Sequence, residues 1–151
     1  MKHLSLILIM ILLFATVATC EDYKVNLRWD QFYSGEDTEK ALRQLARAFG
    51  DFTMLTSIGK SEEGRDIWML QINNPDTGDD VEKPGIYVDG AIHGNEIQAT
   101  EVCLYLAWYL LENYDSIDTV HDIVDRNAFY IVPTVNVDSR WRFFEDDGSY
   151  G

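Results

Sequence analysis

The sequence predicts an α/β fold with a mixed parallel and antiparallel sheet flanked by helices. Three observations carry this. Four short apolar runs, "FTMLTSIG", "DIWMLQI", "GIYVDGA" and "AFYIVPTV", are bounded by turn residues as strands are. The first two are joined by a short polar link, as in an antiparallel hairpin. The last two are separated by helical stretches, and strand, helix, strand in that order implies a right-handed parallel crossover.

Taken in order, residues 1–20, "MKHLSLILIMILLFATVATC", have a basic start at Lys2, an apolar run from Leu4 to Phe14 and small residues before Glu21. This is the pattern of a secretory signal peptide, with an apolar run short of the roughly 20 residues a spanning helix needs. A secreted, periplasmic or extracellular chain without a stable membrane span follows. "VATC" also loosely resembles a lipoprotein signal that would lipidate Cys20, although Thr19 fits that pattern poorly.

After a polar, aromatic lead, "EDTEKALRQLARAFG" places Ala41, Leu42, Leu45, Ala48 and Phe49 at helical spacing, with Gly50 positioned to end the helix in a left-handed cap. The two hairpin strands follow, with Gly64 as the turn residue. "NNPDTGDDVEKPG" is a polar loop, and "GIYVDGA" reads as a buried strand. Residues 96–113 are apolar around most of a helix, so sheet should cover one side and other elements the rest. "SIDTVHDIVDR" is a second helix, with His121 on its surface, and "AFYIVPTV" is the last strand.

The 151 residues allow one domain over 21–151, and 46% hydrophobic and 13% aromatic content excludes a disordered chain. Acidic residues number 26 against 12 basic, a net charge of −14, which argues against nucleic acid as a partner. Cys103 lies among apolar helical neighbours and reads as a buried, inert thiol.

The chemistry concentrates in "YVDGAIHGNEIQATE", where a strand runs into His93 and Glu96 just before a helix. In α/β sheets, ligands gather at the carboxyl ends of strands. An imidazole and a carboxylate three residues apart on such a turn, with Gly94 letting the backbone bend between them, make half of a catalytic zinc site. The same pair also fits a turn histidine and an acidic residue favouring the helix start. Asp89, on the strand, is a candidate to orient His93.

Three stretches in order, "IGKSEEGRDIWMLQI", "GAIHGNE" and "YIVPTVNVDS", resemble the zinc metallocarboxypeptidases related to carboxypeptidase A, over about residues 36–140. The resemblance implies the N-terminal portion of such a catalytic domain, hydrolysis of C-terminal peptide bonds, and one Zn2+ per complete active site. Peptide or protein C-termini would be the substrates. It assigns His93 and Glu96 as zinc ligands. The family's third zinc histidine, its general-base glutamate and its carboxylate-binding Asn-Arg pair lie further towards the C-terminus, so these 151 residues alone are expected to be inactive. Val137 and Ser139 replace the proline and glycine of the family's turn, which Asn136 and Asp138 would still form. Arg142, or Arg140, is the candidate for the arginine that polarises the scissile carbonyl, against a plain surface charge at either position and the family's arginine falling just after Gly151. "EDDG" is too short for a calcium loop and reads as a solvated turn. Two other readings stand beside this one: an N-acyl amino acid deacylase resembling the aspartoacylase group, and a non-catalytic domain of the same fold that binds peptides or cell-wall components.

Overall fold

The structure is a computed structural model that describes residues 23–145; the signal-peptide and Cys20 readings, and all of "EDDG" beyond Glu145, lie outside the described residues. Helix α1 (Gly35–Ala48) starts where the Ser34 hydroxyl accepts the Asp37 N–H, with Glu36 and Asp37 on its positive end. Its end departs from expectation. The cap is Phe49, at φ −124° and with its N–H on the Leu45 carbonyl, and Gly50 is not left-handed. Strands β1 (Thr53–Lys60) and β2 (Asp66–Ile72) form the antiparallel hairpin, turned by Gly64 at φ 81°, a value only glycine adopts readily.

Strand β3 (Gly85–Asp89) leads to helix α2 (Ile97–Glu112), then α3 (Asp118–Arg126) and β4 (Ala128–Val132). The sheet order is β1-β2-β4-β3, with β2 antiparallel and β3 parallel to β4, so the crossover and the mixed sheet are as the sequence predicts. Helices α1 and α2 pack on the face carrying Leu70, Ile72, Phe129 and Ile131.

Two features differ from the expectation. β3 is an edge strand among the described residues, with Tyr87 exposed and Ile86 and Val88 only half-buried, because burial follows a strand's place in the sheet and not its apolarity alone. The stretch after β4 forms a helix, α4 (Val137–Glu145), where a turn was expected. Asn136 Oδ1 accepts the Ser139 N–H at 3.1 Å and the Arg140 N–H reaches the Asn136 carbonyl at 3.0 Å, so Asn136 caps this helix.

The aromatic lead covers the outer side of α2. Glu112 accepts the N–H groups of Lys24 (3.0 Å) and Val25 (2.6 Å), and Trp108 Nε1 donates to the Val25 carbonyl at 2.8 Å. Trp29 packs edge-on to Tyr105 and Trp108, while Val102 stays exposed. Among the described residues no helix is long and apolar enough to cross a membrane.

Candidate metal centre

β3 and β4 end side by side, and the chain leaving β3 is tied at once to the chain leaving β4. The Gly90 N–H donates to the Val132 carbonyl (3.0 Å), the Val135 N–H to the Gly90 carbonyl (2.9 Å) and the Asn136 N–H to the Ala91 carbonyl (3.0 Å). These bonds hold buried Ala91 at φ 50°, a left-handed conformation costly for a residue with a Cβ and found where the surroundings over-determine it.

Two residues on, His93 Nδ1 and Glu96 Oε1 lie 3.2 Å apart, with side chains 74% and 58% exposed. The turn between them is closed by the Glu96 N–H on the His93 carbonyl at 3.1 Å. Glu96 is also the residue preceding α2, yet its carboxylate makes no capping bond to the helix. An imidazole nitrogen and a carboxylate oxygen converging at the rim, unclaimed by the helix end, fit two ligands of a zinc ion. Among the described residues no third His, Cys, Asp or Glu joins them to form a metal-binding group.

Gly94 lies in the turn as the sequence implies, and the structure adds a second reason for glycine there. Its φ is not left-handed, but a Cβ there would lie 2.4 Å from Arg140 N, Ser139 C and Ser139 Oγ. The turn therefore rests directly on the first turn of α4. That helix start is itself clamped to the hairpin: the Asp138 carboxylate accepts from Ser61 Oγ (2.8 Å), the Glu63 N–H (3.1 Å) and Arg65 Nη1 (2.7 Å). Burial alone would raise the Asp138 carboxyl, but Arg65, Ser61 and the Glu63 N–H outweigh it and hold the group below its ordinary value.

Arg142 lies on α4 with its guanidinium on Glu63, which also holds Arg65; the hydrogen bond to Glu63 is the largest of the effects that raise the Arg142 pKa. Arg140 is fully buried, donating to the Tyr33 and Ile97 carbonyls and to Glu101. Asp89 does not show the expected link to His93: it contributes, after burial, to raising the Tyr87 phenol and the Cys103 thiol, the latter to about 11. His121 is a surface residue of α3, stacked on Tyr114 with Nε2 3.3 Å from Asp125. The sequence reading missed Ala91, the clamp on Asp138 and the burial of Arg140. Ala91 and the clamp residues Ser61, Arg65 and Asp138 lie inside the stretches quoted for the resemblance, whereas Arg140 lies just outside them.

Residues 38–147 match the zinc carboxypeptidase family. The chain belongs to that family. Human carboxypeptidase D is 38% identical over 117 residues, covering 78% of this chain and 8% of that protein. Among solved structures, carboxypeptidase A from Helicoverpa armigera superposes with a TM-score of 0.72 at 27% identity, covering 97% of this chain and 34% of that one. Thrombin-activatable fibrinolysis inhibitor gives 0.73 at 21% identity, covering 80% and 29%, which speaks to the fold alone. The chain thus spans 8% of the length of carboxypeptidase D and about a third of the Helicoverpa armigera enzyme. The match favours the carboxypeptidase reading over the deacylase one.

Proposed function

We propose that this chain is part of an exported zinc metallocarboxypeptidase in which His93 and Glu96 hold the metal, and that it acts on the C-terminal peptide bonds of peptides or proteins. The observation that supports it most is the meeting of His93 Nδ1 and Glu96 Oε1 at 3.2 Å, inside the segment that matches the family. When bound, zinc supplies Lewis acidity, polarising the scissile carbonyl and acidifying a water. His93 and Glu96 would hold and orient it, and the Ala91–Asn136 and Gly94–α4 contacts keep the two side chains at one place on the rim.

A catalytic zinc site needs a third ligand and a general base; among the described residues no third His, Cys, Asp or Glu joins His93 and Glu96, and on this reading the chain alone is expected not to hydrolyse peptides. Arg142 would polarise a carbonyl only after release from Glu63.

The test is zinc affinity of the full chain beside His93→Ala/Glu96→Ala, read by competition with a chromophoric chelator. Zinc binding by the wild type that the double variant loses is the expected outcome. Equal binding by both would refute the assignment of the ligands.

A further inference from the structure

We infer that Arg140 is a positioning residue for the His93–Glu96 turn, gripping it from both ends; as a statement about zinc it rests on the reading above. Its own backbone N is one of the atoms against which Gly94 is pressed, one residue after His93. Its Nη1 donates at 2.7 Å to the carbonyl of Ile97, one residue after Glu96. A single residue therefore touches the turn just past each of the two metal-facing side chains.

The rest of the guanidinium anchors this grip. Nε and Nη2 donate to the Tyr33 carbonyl at 3.1 and 2.6 Å, and Nη2 reaches Glu101 Oε1 at 2.6 Å. Glu101 Oε1 also accepts the Tyr33 N–H at 2.8 Å, which fixes the partner in turn. The Arg140 side chain is 0% exposed. A buried guanidinium is an expensive way to fill space, since it must be both paired and hydrogen-bonded.

Here its planar fork reaches two separate carbonyls and a carboxylate from nitrogens set apart across the guanidinium, a spacing that the single ammonium of lysine does not reproduce. The Glu96 side chain makes no capping bond at the start of α2, so the bond that holds the Ile97 carbonyl adds to the backbone bonds that place Glu96.

The experiment compares the full-length wild type with Arg140→Lys, His93→Ala and Leu45→Ala, the last a destabilised control in the core of α1. Two quantities are read. One is amide exchange in metal-free protein at Glu96 and Ala99, whose N–H groups bond the His93 and Glu96 carbonyls at 3.1 Å. The other is zinc affinity of the folded protein. We expect Arg140→Lys to speed exchange at Glu96 and Ala99 selectively and to weaken zinc binding about tenfold, as loss of a group supporting metal ligands does. Leu45→Ala should change exchange across the core without singling out the turn and leave zinc affinity intact.

Exchange at Glu96 and Ala99 that merely follows the core in Arg140→Lys overturns the proposal. So does wild-type zinc affinity in Arg140→Lys where His93→Ala has lost it. If His93→Ala keeps wild-type affinity, the zinc reading is what fails, and the exchange data alone decide the positioning role. Glu101→Gln loosens the same guanidinium without removing it and carries the test where Arg140→Lys does not fold.

Discussion

Replacing Gly94 by alanine adds one methyl group at the point where the turn bearing His93 meets α4. The added Cβ would stand 2.4 Å from two backbone atoms, Ser139 C and Arg140 N, and from Ser139 Oγ. Ordinary contact begins at 3.4 Å, so the turn and the helix start must part by about 1 Å, a displacement of the size that costs precisely built sites on the order of a hundredfold. Backbone cannot rotate away as a side chain can, and the helix start is held by Asp138 and the turn by the Ala91–Asn136 bond, so the strain stays local. Overpacking of this kind costs about 2 kcal/mol, or roughly 4–8 °C in Tm for a chain of this size. Urea unfolding should show a lower midpoint at an unchanged slope, with weaker zinc binding. Gly59→Ala is the control: nothing lies within 4 Å of its added Cβ, and it should stay within about 0.5 kcal/mol of wild type. Adding Ser139→Gly removes one of the three obstructing atoms and should restore part of the loss. A Gly94→Ala chain that unfolds at the wild-type midpoint and slope refutes the close approach.

Two further outcomes follow from buried groups. Asp138→Asn keeps the shape but removes the charge facing Arg65, and should cost about 2–3 kcal/mol at pH 7 in urea unfolding. Because the folded Asp138 carboxyl is held below its unfolded value, its contribution is full above the ordinary carboxylate range near pH ~4 and fades as pH falls through the lowered value, so the gap between wild type and Asp138→Asn should close in acid; a gap constant down to acid unfolding contradicts the assignment. Cys103, its thiol pushed up to about 11 by burial first and by Asp89 and Glu101 after it, should resist a thiol reagent at pH 8 and react once unfolded. Peptide mapping distinguishes it from Cys20, and equal labelling in both states would show the thiol to be accessible.

How far the sequence reveals this structure depends on how local the cause is. The hairpin, α1, α2 and the crossover are written in runs of a few residues, and the His93–Glu96 pair is legible because its partners are three apart on one turn. α4 was not legible. "VDSRWRFFE" carries two arginines and no clear apolar stripe, and the residue that anchors it in the interior is Arg140, which reads as surface until its partners Tyr33, Ile97 and Glu101 are brought to it from elsewhere. The edge position of β3 is likewise a property of the sheet order, and the left-handed Ala91 a property of the bonds that β4's continuation makes to it. Gly94 was legible as the bend between His93 and Glu96, but not for its missing side chain, which only the position of Ser139 and Arg140 exposes.

The three stretches that carry the family resemblance turn out to be one contact. Ser61 and Arg65 of the hairpin grip Asp138; Ser139 and Arg140, the next residues along, form the floor under Gly94; and Arg140 reaches past the turn to Ile97. None of these bonds involves His93 or Glu96, whose nitrogen and oxygen remain at the exposed rim. The turn is therefore shaped by the protein before any ion arrives, so binding need not order it, and preorganisation of that kind favours affinity. The charges follow the same logic. Arg65, Arg140 and Arg142 are matched to Asp138, Glu101 and Glu63 in a chain of net charge −14, so no arginine in this cluster leaves free positive charge to oppose a cation. Removing Arg65 or Arg140 would free a carboxylate as well as loosen the support, and the two consequences pull metal binding in opposite directions, whereas removing Arg142 leaves Glu63 paired with Arg65. Loss of support should dominate at Arg140, which is buried and in direct contact with the turn, and be weakest at Arg142, which is half-exposed and, among the described residues, bonded only to Glu63.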